Sequence, residues 1–277
     1  MLYFNCICVL IWRECVLRPI ASIKSRYRYG TLKRFEKTLA GRRLSKFKDI
    51  HQGKRCFFIG NGPSLRVEDL NILDEHKEIT FGFNRIYNIF DNTSWRPDYY
   101  VSQDYKMLLG CQKAVSDLSL PIKFIPVDLE WEYNIRIKNK TPFKMLWMPK
   151  DNLAPAGFSN DLPSGVYWGS TCMYTAAQIA VYMGFKEIYF IGVDHHFQIS
   201  QNNKGEIVVD NTVKDYFCDK YNEDKENLYV PNTETSTLAY IEMKNGCEKH
   251  GVKVYNATRG GKLEVFERVD FDKLFKI

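Results

Sequence analysis

Cys56-Phe57-Phe58-Ile59-Gly60-Asn61-Gly62-Pro63-Ser64-Leu65 is an apolar run that breaks into a glycine-bounded turn and then into polar residues. Phe57, Phe58 and Ile59 suit a strand buried on both faces of a parallel sheet. Gly60 and Gly62 have no Cβ, so backbone N–H groups there could approach an anion. Pro63 fixes its own φ, and Ser64 is placed to cap a following helix. A strand, turn and helix of this kind offers a phosphate the positive end of the helix dipole. The same shape also occurs without a ligand, and neither G-x-G-x-x-G nor G-K-[ST] is present.

Outward from this stretch, strands and helices alternate. Ile79–Phe83, Tyr99–Ser102 and Ile122–Val127 read as further strands. Ser170–Met183 has small and apolar residues at helical spacing, stopped by Gly184, and leads into a strand at Glu187–Ile191. Glu234–His250 reads as an amphipathic helix stopped by Gly251, before a strand at Val252–Tyr255. The spacing predicts an α/β, Rossmann-like, mostly parallel sheet with helices on both faces. At 277 residues and 45% hydrophobic, the chain can bury one large core, so residues 54–277 are read as one nucleotide-binding domain. An aromatic-rich insertion at about 129–168, with Trp131, Tyr133, Trp147, Phe158, Tyr167 and Trp168, is either a lid or sugar-stacking platform, or ordinary core packing.

Residues 1–53 are read as an apolar tip and a basic helical arm. The first 54 residues hold thirteen Lys or Arg against Glu14, Glu36 and Asp49, so that of the net charge of +6 they carry +10 and the remainder −4. Met1–Trp12 is shorter than the ~20 apolar residues of a spanning helix, and its basic residues follow the apolar run, unlike those of a signal peptide. An apolar tip before a basic helix suits the anionic inner leaflet of a membrane; a helix packed on the domain is the alternative. Nucleic acid is a poorer partner, because no recognition motif accompanies the charge. The eight cysteines form no C-x-x-C pair, which points to a reducing compartment without zinc or a disulfide framework.

In a parallel sheet, ligands sit beyond the carboxyl ends of the strands. The strand ends here carry Gly60, Asn61 and Gly62; Asn84 and Arg85; Gln103 and Asp104; Asp194, His195 and His196; and Arg259 with Lys262. Gly169, Ser170 and Thr171 add hydroxyls and free N–H groups at a helix start. Asparagines suit a ribose or base edge, whereas Arg259, Lys262 and Asp104 could meet the charged parts of a substrate. Each of these residue types also serves as a cap or turn residue.

The pair Gly60–Leu65 (GNGPSL) and Ala180–Asp194 (AVYMGFKEIYFIGVD) resembles bacterial sialyltransferases of glycosyltransferase family 42. It resembles still more the MptE-like bacterial proteins, related to 6-hydroxymethylpterin pyrophosphokinases, to whose tail Asn256–Phe271 is also similar. The likeness covers residues 54–272. It implies a nucleotide held against Asn61, Gly62 and Ser64, with Asn84, Ser170 and Thr171 completing the cradle and no metal or resident cofactor; the reading of the turn and strand ends adds Gly60, Pro63 and Asp194 to this nucleotide-binding set. It also implies an inverting transfer of an acidic sugar from a CMP-activated donor to a glycan or lipid-linked glycan, at a cytoplasmic location with peripheral membrane contact through the arm. The sequence departs from the sialyltransferase pattern where His196 stands in place of a tyrosine and Tyr229–Glu234 lacks the family's histidine base. His195 or His196 is a substitute base, with Asp194 to orient it or to bind ribose; Glu234 is a further candidate, and adjacent histidines can equally be plain loop residues. The other reading of the likeness is Mg-ATP-dependent pyrophosphoryl transfer to 6-hydroxymethylpterin, with Asp104 and Asp194 at the metal; a third is a nucleotide-binding protein without catalysis.

Overall fold

The computed structural model describes residues 30–147, 154–222 and 228–276. The chain begins with α1 (Leu39–Leu44), β1 (Arg55–Ile59), α2 (Val67–Glu75), β2 (Thr80–Phe83), β3 (Tyr99–Val101), α3 (Tyr105–Asp117) and β4 (Ile122–Pro126). It continues through α4 (Val127–Tyr133), β5 (Thr141–Phe143), β6 (Met145–Leu146), β7 (Val166–Tyr167), α5 (Cys172–Tyr182) and β8 (Glu187–Ile191). A hairpin of β9 (Ile199–Gln201) and β10 (Ile207–Val209) follows, then α6 (Thr233–Lys249), β11 (Lys253–Asn256), β12 (Glu267–Arg268) and α7 (Phe271–Phe275).

Eight strands form one sheet in the order β12-β11-β8-β1-β2-β3-β4-β5, every neighbour parallel. The chain lays strands outward from β1 to β5, then returns to place β8 on the other side of β1. The order therefore reverses between β1 and β8, which opens a crevice beyond their carboxyl ends.

Period-two alternation divides the strands between two cores. Cys56 and Phe58 of β1, with Ile188 and Phe190 of β8, pack under α5 and α6. Phe57 and Ile59, with Tyr189 and Ile191, pack under α2, α3 and α7. Apolar residues on both sides are what a strand covered on both faces requires. On β4 the second face carries Lys123, fully buried, whose Nζ donates to the carbonyls of Val115, Ser116 and Leu118 at 3.1 Å each and so closes the carboxyl end of α3.

The two helices expected from spacing are present. Thr171 caps α5 by accepting from Met173 N, and Asn232 caps α6 by accepting from Thr235 N. Ser64, expected to cap the helix after β1, does not: α2 starts at Val67 behind Arg66, and Ser64 is held elsewhere. Of the arm, Met1–Trp12 and the rest of residues 1–29 lie outside the described residues. Phe35, Leu44 and Phe47 are buried in the first core, and the N–H groups of Asp49, His51 and Gly53 donate to the carbonyls of Tyr182, Met183 and Gly184. Residues 35–53 thus pack on the domain at the end of α5. No helix among the described residues is long and apolar enough to cross a membrane.

Candidate functional site

A cavity of about 600 Å³ occupies the crevice where the strand order reverses. The loops after β1, β2, β3 and β8 form one side, and α3, α5 and α6 bring their N-termini to it through Asp104, Thr171 and Asn232. Three helix dipoles therefore direct their positive ends toward one space. No Lys or Arg is among the described residues that line it. Arg85 is buried beside it, its Nη1 donating to Tyr221 O and its guanidinium 5.9 Å from the Tyr221 ring centre.

The loops after β1 and β8 are packed backbone to backbone. A Cβ on Gly60 would overlap the Gly192 carbonyl, and one on Gly62 would overlap the Asp194 carboxylate. Gly60 N donates to Ile191 O and Gly62 N to Gly192 O, both at 2.8 Å. Asp194 Oδ2 accepts from Ser64 Oγ at 2.8 Å and Ser64 N at 3.3 Å. The Gly60–Ser64 turn was expected to offer its N–H groups to a phosphate; the structure instead spends those of Gly60, Gly62 and Ser64 on the β8 loop. A carboxylate occupies the place expected for the anion. Burial pushes the Asp194 carboxyl above its ordinary range, while the Ser64 bonds oppose that shift.

Asn61 Nδ2 donates to Phe83 O at 3.1 Å, and its Oδ1 is buried without a hydrogen-bond partner. Asn84 stands in the left-handed region at φ 51°, its Oδ1 accepting from Ser102 Oγ at 3.0 Å. Ser170 and Thr171 face the cavity at the start of α5, where the first N–H groups have no intrahelical partner. Asp104 lines the cavity but serves as the cap of α3, accepting from Met107 N at 3.1 Å. Cys172 is buried there, and burial pushes its thiol up to about 12, which removes it as a nucleophile at neutral pH.

His195 and His196 both line the cavity but have different surroundings. His195, at φ 52°, has Nε2 2.7 Å from Thr237 Oγ1, whose own hydrogen goes to Thr233 O. Burial pushes this imidazole down to about 4, so it is neutral at pH 7. His196 Nε2 lies 2.9 Å from Asp210 Oδ2 and 3.1 Å from Lys262 Nζ. The hydroxyl and N–H of Thr212, and then His196, hold Asp210 down at about 2. The Asp210 carboxylate calls for a proton on Nε2, whereas the Lys262 ammonium, which can only donate, calls for a lone pair there; the tautomer that pairs the carboxylate leaves Nδ1 as the basic nitrogen. The partner of His196 is Asp210, where the sequence had offered Asp194. In sequence Asp210 carries only a turn signal, the Asp-x-Thr spacing, and nothing there reveals the hairpin that delivers it.

Other expected residues stand apart. Arg259, read as an anion contact, is held between Asp69 and Asp272, with Nε 3.0 Å from Asp69 Oδ2, and does not line the cavity. Lys262 lies outside it as well and touches the site through His196. Glu234, the further base candidate, accepts from Asn203 N at 3.0 Å. The aromatic insertion divides between the cavity wall and the core. Trp147 and Trp168 stack with ring centres 6.1 Å apart and line the cavity, whereas Phe158 packs against Tyr174 and Gly246.

Residues 30–200 match the family model described as 6-hydroxymethylpterin diphosphokinase MptE-like. The chain belongs to this MptE-like family. Among solved structures, the MptE-like chain is similar to the MAf glycosyltransferase from Magnetospirillum magneticum AMB-1, with a TM-score of 0.45 and 13% identity. That alignment covers 84% of this chain and 38% of the other, so the chain spans well under half of that protein's length. No curated protein matches the chain.

Proposed function

We propose that this MptE-like chain is an inverting, metal-independent glycosyltransferase that moves an acidic sugar from a CMP-activated donor to a hydroxyl of a surface-polysaccharide acceptor. The observation that carries this reading is that His196, in the wall of the cavity between β1 and β8, is paired with Asp210. His196 Nδ1 takes the proton of the acceptor hydroxyl, and the oxygen attacks the anomeric carbon as the bond to the donor phosphate breaks. CMP leaves with the negative charge, which the Ser170–Thr171 end of α5 receives through its N–H groups and dipole. Asn61 Oδ1, buried and unpaired, suits an amine or hydroxyl donor of the nucleoside. The Trp147–Trp168 stack gives a sugar ring an apolar face. The basic arm would hold the enzyme at the cytoplasmic face of the membrane, near lipid-linked acceptors.

A second reading, Mg-ATP-dependent pyrophosphoryl transfer to 6-hydroxymethylpterin, draws on Asp104 and Asp194 lining the same cavity, but Asp104 caps α3, Asp194 holds Ser64, and the described residues include no group of three such side chains placed to hold a metal ion. Thermal-shift titration with CMP and with ATP, each with and without Mg²⁺, separates the two. Stabilisation by CMP without metal, followed by CMP release from a CMP-sugar only when an acceptor is added, supports sugar transfer. Selective stabilisation by ATP with Mg²⁺ favours the second reading, and binding without turnover of either donor leaves a non-catalytic nucleotide-binding protein.

A further inference from the structure

His195 also lines a second cavity, of about 450 Å³, between α6 and the loop of residues 262–265. It shares only His195 with the cavity between β1 and β8. One wall is a stripe of α6 at helical spacing, Thr237, Ile241, Lys244 and Asn245. Ile241 is 41% exposed there, although it sits in the body of the helix. The facing wall is Lys262, Leu263, Glu264 and Val265.

The charges of this groove are one-sided. Glu264 is taken by Arg268, with oxygen and nitrogen 2.7 Å apart. Lys244 Nζ donates to Val265 O at 3.2 Å, a neutral carbonyl, Lys262 Nζ lies 3.1 Å from His196 Nε2, and neither lysine has a carboxylate partner among the ion pairs of the described residues. Two ammonium groups therefore flank an apolar strip of Ile241 and Val265, with Thr237 and Asn245 as hydrogen-bonding groups. Apolar patches beside fixed polar groups and net positive charge suit a saccharide that bears an anionic group.

We infer that the groove between α6 and residues 262–265 binds an anionic saccharide as the acceptor. This rests on the transferase reading, since His195 lines both the groove and the cavity assigned to the donor. A carboxylate or a phosphate on the sugar would satisfy the same two lysines.

Trigalacturonate, glucose 6-phosphate and neutral maltotriose serve as probes, with binding to the full chain read by calorimetry and by amide shifts of residues 237–245 and 262–265. Trigalacturonate or glucose 6-phosphate should bind at this groove and maltotriose should not; which of the two binds identifies the anion. Lys244→Met should weaken that binding about fivefold and Lys244→Glu about twentyfold, as one half-exposed charge is first lost and then reversed. Circular dichroism confirms that both variants fold, and the thermal shift with CMP should not change in either. Equal binding of maltotriose, binding insensitive to Lys244→Glu, or no binding of any probe at millimolar concentration overturns the inference. Loss of the transferase reading would show differently, as anionic saccharides bound in the groove with no stabilisation by CMP.

Discussion

His196 Nε2 and Asp210 Oδ2 are 2.9 Å apart, although one residue follows β8 and the other ends the β9–β10 hairpin. The hairpin thus fixes an imidazole at the rim of a parallel sheet. His196→Gln should lower kcat by about 10²–10⁴-fold, the usual worth of a general base, while donor binding stays within about twofold. Asp210→Asn keeps the shape but can supply the amide as donor, which turns the ring to the wrong tautomer, so kcat should fall with little change in KM. Steady-state kinetics with a CMP-sugar measure both, and unchanged kcat in His196→Gln removes the base assignment.

Gly62 lies against the Asp194 carboxylate with no room for a Cβ. Gly62→Ala must therefore push the β1 and β8 loops apart, at a cost of about 1–3 kcal/mol by the measure of overpacked sites. Ser64→Ala acts from the other side: it removes the 2.8 Å bond to Asp194 Oδ2 without steric change. If the carboxylate is the organising group of this junction, both variants should lower the denaturation midpoint and weaken nucleotide binding together. A Gly62→Ala protein of normal stability would show that the loops are free to separate.

The sheet was legible because β1, β8 and α5 have local signals: a double-faced apolar run, a glycine stop and hydroxyl caps. The reversal between β1 and β8 was not legible, because a parallel sheet does not by itself fix the order of its strands. The fine structure of the site was not legible, because it depends on pairs far apart in sequence. Gly60 and Gly62 read as an anion nest, yet their N–H groups go to a loop 130 residues away, since Ser64 and Asp194 are separated by that interval. Arg259 read as an anion contact because its ion partners, Asp69 and Asp272, lie on helices whose positions no local pattern gives. His196 was visible as a residue type, but its partner was not, because Asp210 reaches it only through the hairpin.

Lys123 is buried on β4 with its ammonium on three carbonyls at the end of α3. Lys123→Met keeps most of the volume and strands those carbonyls, so chemical denaturation should show a loss of about 2–3 kcal/mol with donor KM unchanged. Hydrogen exchange should localise the change to the last turn of α3. A neutral result would mean that water replaces the ammonium there.

Asp128 gives the fold a pH dependence whose sign opposes that of an ordinary paired carboxylate. It is 2% exposed in the first turn of α4, and its Oδ2 accepts from Met145 N at 3.0 Å. Burial outweighs that bond and pushes the carboxyl up to about 6. The unfolded group titrates near 3.9, so between about pH 4 and 6 the folded state holds the extra proton, and this group's contribution to stability falls as pH rises through that window. Above it the ionised side chain remains as a cost of about 1–3 kcal/mol. Asp128→Asn retains an acceptor for Met145 N without the charge. Its stability should equal that of the parent near pH 4, exceed it by that amount at pH 7, and show a flatter profile between. Denaturant titrations at pH 4, 5, 6 and 7 measure the difference, and an Asn variant that loses stability equally at every pH would mean that Asp128 is ionised in the folded protein and stabilised by partners the neutral amide cannot replace.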